Sequence, residues 1–417
     1  MTRGMRKVQG ALVMGMSGFV VTACGGDAAP GDAWTGTVTD SAGVAIVSNP
    51  TEGLWGGTPR WEFVEEYRVG GMDAETEAQF GQVAPIGIDL DADGNVYVAD
   101  MQAQAIRAFG PDGSFLRTIG SPGQGPGEIG QQMIAAFVVG DEVWAADLGN
   151  MRVSRWTLDG TMETPLPLDL TAGIPIRWDE LSGDRVVIQL RGMDFTGEGT
   201  TPENDAVVYF DGAIGDTLAL LPVGQSFQMT GGVPQFRFFE AEPVWDATTD
   251  GRLMSAMNSD YRIEIRSAEG TLERIVTRPF EPRPVTEGDQ RAMLDAIRDL
   301  MTEQQGVPPQ AVEMIMSQAS FADSYPAFAQ MLAGPNGTLW VQRIATAEEL
   351  GASEDFDMQN LGSDLWDVFD AEGRYLGEMT MPAKFTPVRV DGDAFWGIQR
   401  DEFDVQSVVR YRLQEVG

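Results

Sequence analysis

Residues Asp93-Gly-Asn-Val-Tyr-Val-Ala-Asp100 run from a tight turn into a short apolar strand, and the same arrangement returns along the chain. It reappears as Gly140-Asp-Glu-Val-Trp-Ala-Ala-Asp147, Gly183-Asp-Arg-Val-Val-Ile188, Asp250-Gly-Arg-Leu-Met-Ser255, Asn336-Gly-Thr-Leu-Trp-Val341 and Asp391-Gly-Asp-Ala-Phe-Trp396. Turn residues followed by a β-branched or aromatic run are a hairpin signal. A second hairpin follows most of them, at Ile106–Gly113, Val153–Gly160, Val207–Gly212, Ile263–Gly270 and Trp366–Gly373. With Val96, Val143, Val186, Leu253, Leu339 and Ala394 as equivalent positions, the intervals are 47, 43, 67, 86 and 55 residues. The shortest match one four-stranded propeller blade of about 40–50 residues. The longest contains a helical insertion, Pro284–Tyr325, and without those 42 residues it falls to 44. The sixth unit, ending at Val408–Leu413, lacks an outer strand; Trp61–Val69, ahead of the first unit, is free to supply it and close the ring.

Val98-Ala-Asp100 with Phe109 and Thr118-Ile-Gly120, and above all Ala146-Asp147-Leu-Gly-Asn150-Met-Arg152-Val153, resemble the NHL-type repeat of six-bladed propellers. The linker Gly120–Glu128 is similar to the Gly-rich connection between such repeats, although Ala103 and Ala105 stand where the pattern has Asn and Arg. The likeness spans most of Ala84–Gly417 and is densest in the first two units. It implies an all-β fold: a six-bladed β-propeller over residues 43–417, with a short α-helical insertion at 284–325 between blades four and five. It implies no activity.

In such a ring the Asp-Gly, Asn-Gly and Glu-Gly turns lie at one end. The long segments Ser121–Gln132, Arg191–Asp205, Leu221–Glu242, Pro284–Tyr325 and Ile344–Asp364 lie at the other, where loops on a rigid scaffold carry recognition. Within the insertion, Thr286-Glu-Gly-Asp289 caps a helix whose apolar face is Met293, Leu294, Ile297, Leu300 and Met301; Pro309 opens a second helix with Val312, Ile315 and Met316. The pair covers hydrophobic surface on the ring, or serves as a lid or a partner-docking face rich in adaptable Met. Phe236, Arg237, Phe238 and Phe239 are ligand-binding candidates, against the alternative that they begin the fourth unit's inner strand. Gly123, Gly125 and Gly127 with Glu128 offer backbone N–H groups to an anion, without the strand–turn–helix setting of a phosphate loop.

Composition excludes several chemistries. The 417 residues include no His and one Cys, so there is no Ser-His-Asp triad, no imidazole metal ligand and no intrachain disulfide. With 63 acidic and 28 basic residues the formal charge is −35, which repels nucleic acid and anionic headgroups. Membrane attachment is therefore expected through a lipid anchor alone. Residues 1–23 read as a secretory leader: Arg3, Arg6 and Lys7, an apolar run Ala11–Val21, and Val21-Thr-Ala-Cys24 at the cleavage point. They resemble a bacterial lipoprotein signal, which makes Cys24 the lipidated first residue of the mature protein. Gly25 in place of an acidic residue favours the outer membrane. Residues 24–42 read as a flexible tether.

The function expected is an extracytoplasmic, membrane-tethered binding module, a monomer whose looped face holds a protein, peptide or glycan. The alternative is a Ca²⁺-dependent hydrolase or lyase. Several six-bladed propeller enzymes hold Ca²⁺ in the channel on carboxylate and amide oxygens, and Asp100, Asp147, Asn150 and Asn258 are the candidates here. Such enzymes commonly use a histidine as proton carrier, which this chain lacks, and Asp100 and Asp147 equally suit turn caps. A third reading is a structural component of the envelope. Replacing the acylated sulfur removes the anchor, so Cys24→Ser is expected to move the protein from the membrane to the soluble fraction, read by ultracentrifugation of lysed cells.

Overall fold

A computed structural model describes residues 33–181, 185–192, 203–230, 233–248, 250–304, 306–352 and 361–416. The leader and Cys24 lie outside the described residues. Strand β1 (Thr37–Ser41) pairs with β2 (Val44–Ser48), so the segment read as tether contains a strand. Strand β3 (Trp61–Gly70) follows. Two antiparallel meanders come next: β4 (Val83–Leu90), β5 (Val96–Asp100), β6 (Ala105–Phe109) and β7 (Phe115–Ile119), then β8 (Met133–Val139), β9 (Glu142–Asp147), β10 (Arg152–Thr157) and β11 (Leu166–Pro167). A third contains β12 (Ile174–Leu181), β13 (Arg185–Arg191), β14 (Asn204–Phe210) and β15 (Ile214–Pro222). A small sheet of β16 (Phe227–Thr230) and β17 (Val233–Phe238) precedes the next meander, β18 (Pro243–Ala247), β19 (Leu253–Met257), β20 (Arg262–Arg266) and β21 (Leu272–Thr277). The insertion supplies α1 (Glu287–Asp299), α2 (Pro309–Met316) and β22 (Ala319–Phe321), which runs parallel to β17. The chain continues as β23 (Met331–Ala333), β24 (Leu339–Ile344), α3 (Ala347–Ala352), β25 (Gly362–Phe369) and β26 (Tyr375–Thr380), and ends with β27 (Phe385–Asp391), β28 (Ala394–Arg400) and β29 (Gln406–Glu415).

The sheets have a propeller arrangement, but not as six separate four-stranded sheets. Among the described residues four blades are discrete: β12–β15; β18–β21 widened by β2 and β1; β23–β26; and β27–β29 completed by β3. The first two meanders instead run into one eight-stranded sheet through a parallel bridge between Ile86 and Ala135. Next to that bridge β4 lies close against β5 of its own meander. A Cβ at Gly87 would meet the Cβ atoms of Ala84 at 2.7 Å and Ala99 at 3.1 Å.

Aliphatic and aromatic side chains alternate along these strands, so both faces of a meander are apolar and the core is divided between sheets. One cluster packs Tyr97, Ile106 and Ile119 against Met133, Val143 and Trp156. Another sets Phe137 and Trp144 against Trp178 and Ile188. The last joins Val69, Trp396 and Val408 to Val83, Ile88 and Val96, which closes the molecule on itself. Trp156, Trp178, Trp245, Trp340 and Trp366 are among the largest fully buried side chains. Truncating such a group costs about 3–5 kcal/mol. The strand Trp61–Gly70 pairs with β29 from Trp61↔Glu415 to Gly70↔Ser407, as the sequence predicted for the missing outer strand.

Besides the parallel pairing of β2 with β21, one amide ties down the N-terminal strands. Buried Asn49 donates from Nδ2 to the carbonyls of Thr277 (3.2 Å) and Gly373 (2.9 Å), and its Oδ1 accepts from Trp34 Nε1 (3.0 Å) and the Tyr375 amide (2.7 Å). These partners lie on two neighbouring blades. Asn49→Ala leaves a buried N–H and carbonyl unpaired, each costing about 1–3 kcal/mol. The expected outcome is a lower urea midpoint by about 2–4 kcal/mol of stability with an unchanged m-value.

Candidate functional site

Two cavities open at opposite ends of the central channel. The first, of 640 Å³, lies where β18 and β23 begin, and residues of two of the long segments, Leu221–Glu242 and Ile344–Asp364, line it. Its frame is the insertion. Thr286 caps α1 through a capping box with Asp289, and Pro309 opens α2, both as the sequence predicted. Met293, Ile297, Met301 and Val312 then pack with Phe239, Tyr325 and Leu350 into a core of their own. Phe239 takes a left-handed φ of +58°, unusual for a bulky residue, and is held there by burial and by the Tyr325 ring at 4.4 Å.

This anchor places the rest of the aromatic run. Phe236 and Phe238 stand two apart on β17 and share a face, with ring centroids at 6.4 Å and planes within 12°. Phe227 adds a third ring at 5.4 Å from Phe236. Phe236–Phe239 are thus brought together on the cavity wall, not in an inner strand; the inner strand of that blade is β18. Arg237 is exposed and paired with Glu240. The floor is Trp245, whose Nε1 donates to Gln189 (2.7 Å), under the Arg177 guanidinium at 4.3 Å.

The second cavity, of 720 Å³, lies at the end with the short turns, and β4, β8, β12, β18, β23 and β27 all line it. Its polar wall was not foreseen. Arg389 pairs with Asp89 (2.6 Å) and with Glu180, while Asp89 also accepts the amides of Leu90 (2.7 Å) and Val138 (2.6 Å). Arg177 pairs with Asp246 (2.9 Å) and Asp179 (3.5 Å), and Asp246 accepts the Ala333 amide (2.7 Å). Arg177 therefore belongs to the floor of one cavity and to the charge network of the other. Burial raises Asp89 well above the ordinary carboxylate range, Arg389 opposing and Glu180 reinforcing. It raises Asp179 likewise, with the Asp246 charge adding to the effect, and raises Asp246 against the pull of Arg177.

Of the other predicted residues only Asp147 and Asn150 are brought together. Asp100 accepts the amides of Gly81 (2.9 Å), Gln82 (3.2 Å), Gln102 (3.1 Å) and Ala103 (3.0 Å). Asp147 accepts from Gly130 (2.8 Å) and from the Asn150 amide and side chain (3.1 and 2.7 Å). Asn258 lines the looped-end cavity, but its Nδ2 donates to the Phe328 carbonyl (2.8 Å) and its Oδ1 accepts the Glu242 amide (2.6 Å). These oxygens serve the backbone and do not converge, and among the described residues no group of three or more acids could hold a metal ion. The donor set does not fit Ca²⁺. Glu128 accepts the Gly125 amide (2.7 Å), so the Gly-rich linker folds onto its own carboxylate.

The missed residues carried a faint signal. Ile88-Asp89, Trp178-Asp179 and Trp245-Asp246 each set an acid after a large apolar residue on an innermost strand, just before the turn that marks the repeat.

No protein-family model matches the chain, and no curated relative matches it by sequence. Solved structures match its fold. A protein of Bacteroides fragilis NCTC 9343 described as exported aligns over 89% of this chain and 100% of its own, at 10% identity and a TM-score of 0.51. A member of the DUF4221 family from Bacteroides vulgatus aligns over 86% and 99%, at 10% identity and 0.47. BamB from Moraxella catarrhalis aligns over 84% and 100%, at 10% identity and 0.35. At such identities the likeness shows the fold alone.

The raised acid sets a pH dependence. A carboxyl whose pKa rises on folding stabilises the folded state at low pH, and that contribution is lost as pH climbs above the unfolded value toward the folded one. Asp179→Asn removes it. In urea titrations from pH 4 to 8 the variant is expected to gain stability relative to the parent as pH increases.

Proposed function

We propose that this protein is an extracytoplasmic binding module, tethered to the membrane by lipid on Cys24, whose looped-end cavity holds a protein, peptide or glycan. The observation that carries the reading is the wall formed by Phe227, Phe236, Phe238 and Trp245 around 640 Å³, a volume ordinary for ligand sites. Aromatic faces stack on apolar side chains and on sugar rings, while Gln189, Gln330 and Asn258 set polar groups among them. The insertion core fixes Phe239, so this wall is rigid before a ligand arrives.

The finer description of the ring belongs to the same proposal. The eight-stranded sheet is read as two NHL-type sectors, since a full apolar core lies between its halves, and the ring then has six. The leader sequence supports a lipoprotein, with the outer membrane favoured. Among the described residues no helix is long and apolar enough to cross a membrane. The molecule is proposed to act as a monomer and without nucleic acid, in keeping with its charge of −35.

The test is a screen of immobilised peptides and glycans with the purified protein, repeated with Phe236→Ala and Phe238→Ala. Aromatic anchors at the centre of a site are worth about 2 kcal/mol or more, so each variant is expected to lose binding by roughly 30-fold or more with its melting temperature little changed. Hits that survive both substitutions would place recognition elsewhere.

A further inference from the structure

The short-turn cavity has no part in that reading, and its polar groups form two foci. At one, a single guanidinium, Arg389, serves two carboxylates, Asp89 and Glu180; at the other, Arg177 serves Asp179 and Asp246. Each focus falls one positive charge short when its acids are ionised. Both face the same 720 Å³ cavity, and they are joined through adjacent residues of β12, Asp179 and Glu180, so they lie close together. Independently of the charge count, hydrogen-bonding capacity is left over at the first focus, on Arg389 Nε as a donor and on Glu180 as an acceptor. The Glu180 side chain lines the cavity and is 6% exposed, yet its Oε1 has no partner. A buried carboxylate oxygen left unpaired is costly and calls for a donor. Phe137 and Phe395 also line the space, suited to alkyl or cationic groups.

A spherical metal ion does not meet this arrangement, because no three acids among the described residues could hold one. An elongated cation with N–H donors at both ends does. We infer that the short-turn end of the channel binds a small organic dication of the alkyl diamine class, with one ammonium on Asp89 and Glu180 and the other on Asp179 and Asp246. The ammonium groups displace protons that the crowded carboxyls otherwise retain, so binding is coupled to proton release.

Titration calorimetry of the mature protein with 1,4-diaminobutane at pH 7 tests this, with butylamine and CaCl₂ as comparators. The expected result is saturable binding of the diamine, a heat that varies with buffer ionisation enthalpy, and an increase in melting temperature. Butylamine is expected to bind at least tenfold more weakly, and CaCl₂ not to compete. Glu180→Gln and Asp246→Asn should each weaken the diamine at least tenfold. Glu77→Gln, which removes one exposed charge outside the cavity lining, should leave it unchanged. Equal loss in Glu77→Gln would reduce the effect to attraction by an acidic protein and overturn the site. So would absent binding, or displacement by Ca²⁺. If the buried variants do not fold, proton release and the butylamine comparison with the parent protein decide the matter. Phe236→Ala is expected to bind the diamine normally, so this site and the looped-end site succeed or fail separately.

Discussion

Two arginines hold the channel together. Among the described residues the innermost strands exchange a single backbone bridge, between Ile86 and Ala135, so side chains must fix their spacing. Arg389 on β27 reaches Asp89 on β4 and Glu180 on β12; Arg177 on β12 reaches Asp246 on β18. The carboxylates pass the connection on through backbone amides, Val138 on β8 and Ala333 on β23. An unpaired buried charge costs several kcal/mol, so these acids are tolerated only where guanidinium and amide arrive together. That condition holds for one placement of the strands and thereby shapes both cavities.

The two ends of the channel differ because their connections differ. At one end Asp side chains fold back on their own turns: Asp91 accepts the amides of Asp93 and Asn95, and Asp370 those of Glu372 and Arg374. Such turns saturate themselves and leave the strand ends bare, which is why that cavity is walled by strand residues. At the other end the connections are long enough to build their own core, and the cavity is walled by what they bring. Closure by β3 covers the edge of the last strand, and Asn49 ties the segment after β2 to the neighbouring blade.

Much of this was written locally. The repeated turn-and-strand pattern gave the β architecture and the outer strand Trp61–Gly70, and Thr286–Asp289 and Pro309 gave the starts of two helices, because each depends on residues a few positions apart. The aromatic run was legible as a site candidate but not as a wall, since β17 owes its place to β22, more than 80 residues away in sequence. Asp100 and Asp147 looked equally like ligands and caps; only the amides around them separate the two. The fusion of the first two sheets was hidden because it rests on one bridge, Ile86 to Ala135, between strands of different repeats.

The sequence by itself determined the class of fold, the absence of histidine chemistry, the helical insertion and the acidic surface, all of them properties of composition or short-range periodicity. Only the tertiary structure decided that Asp89, Asp179, Glu180 and Asp246 share one cavity with two arginines. Electrostatic pairing acts through space between strands that the chain order keeps far apart, and no local pattern records it.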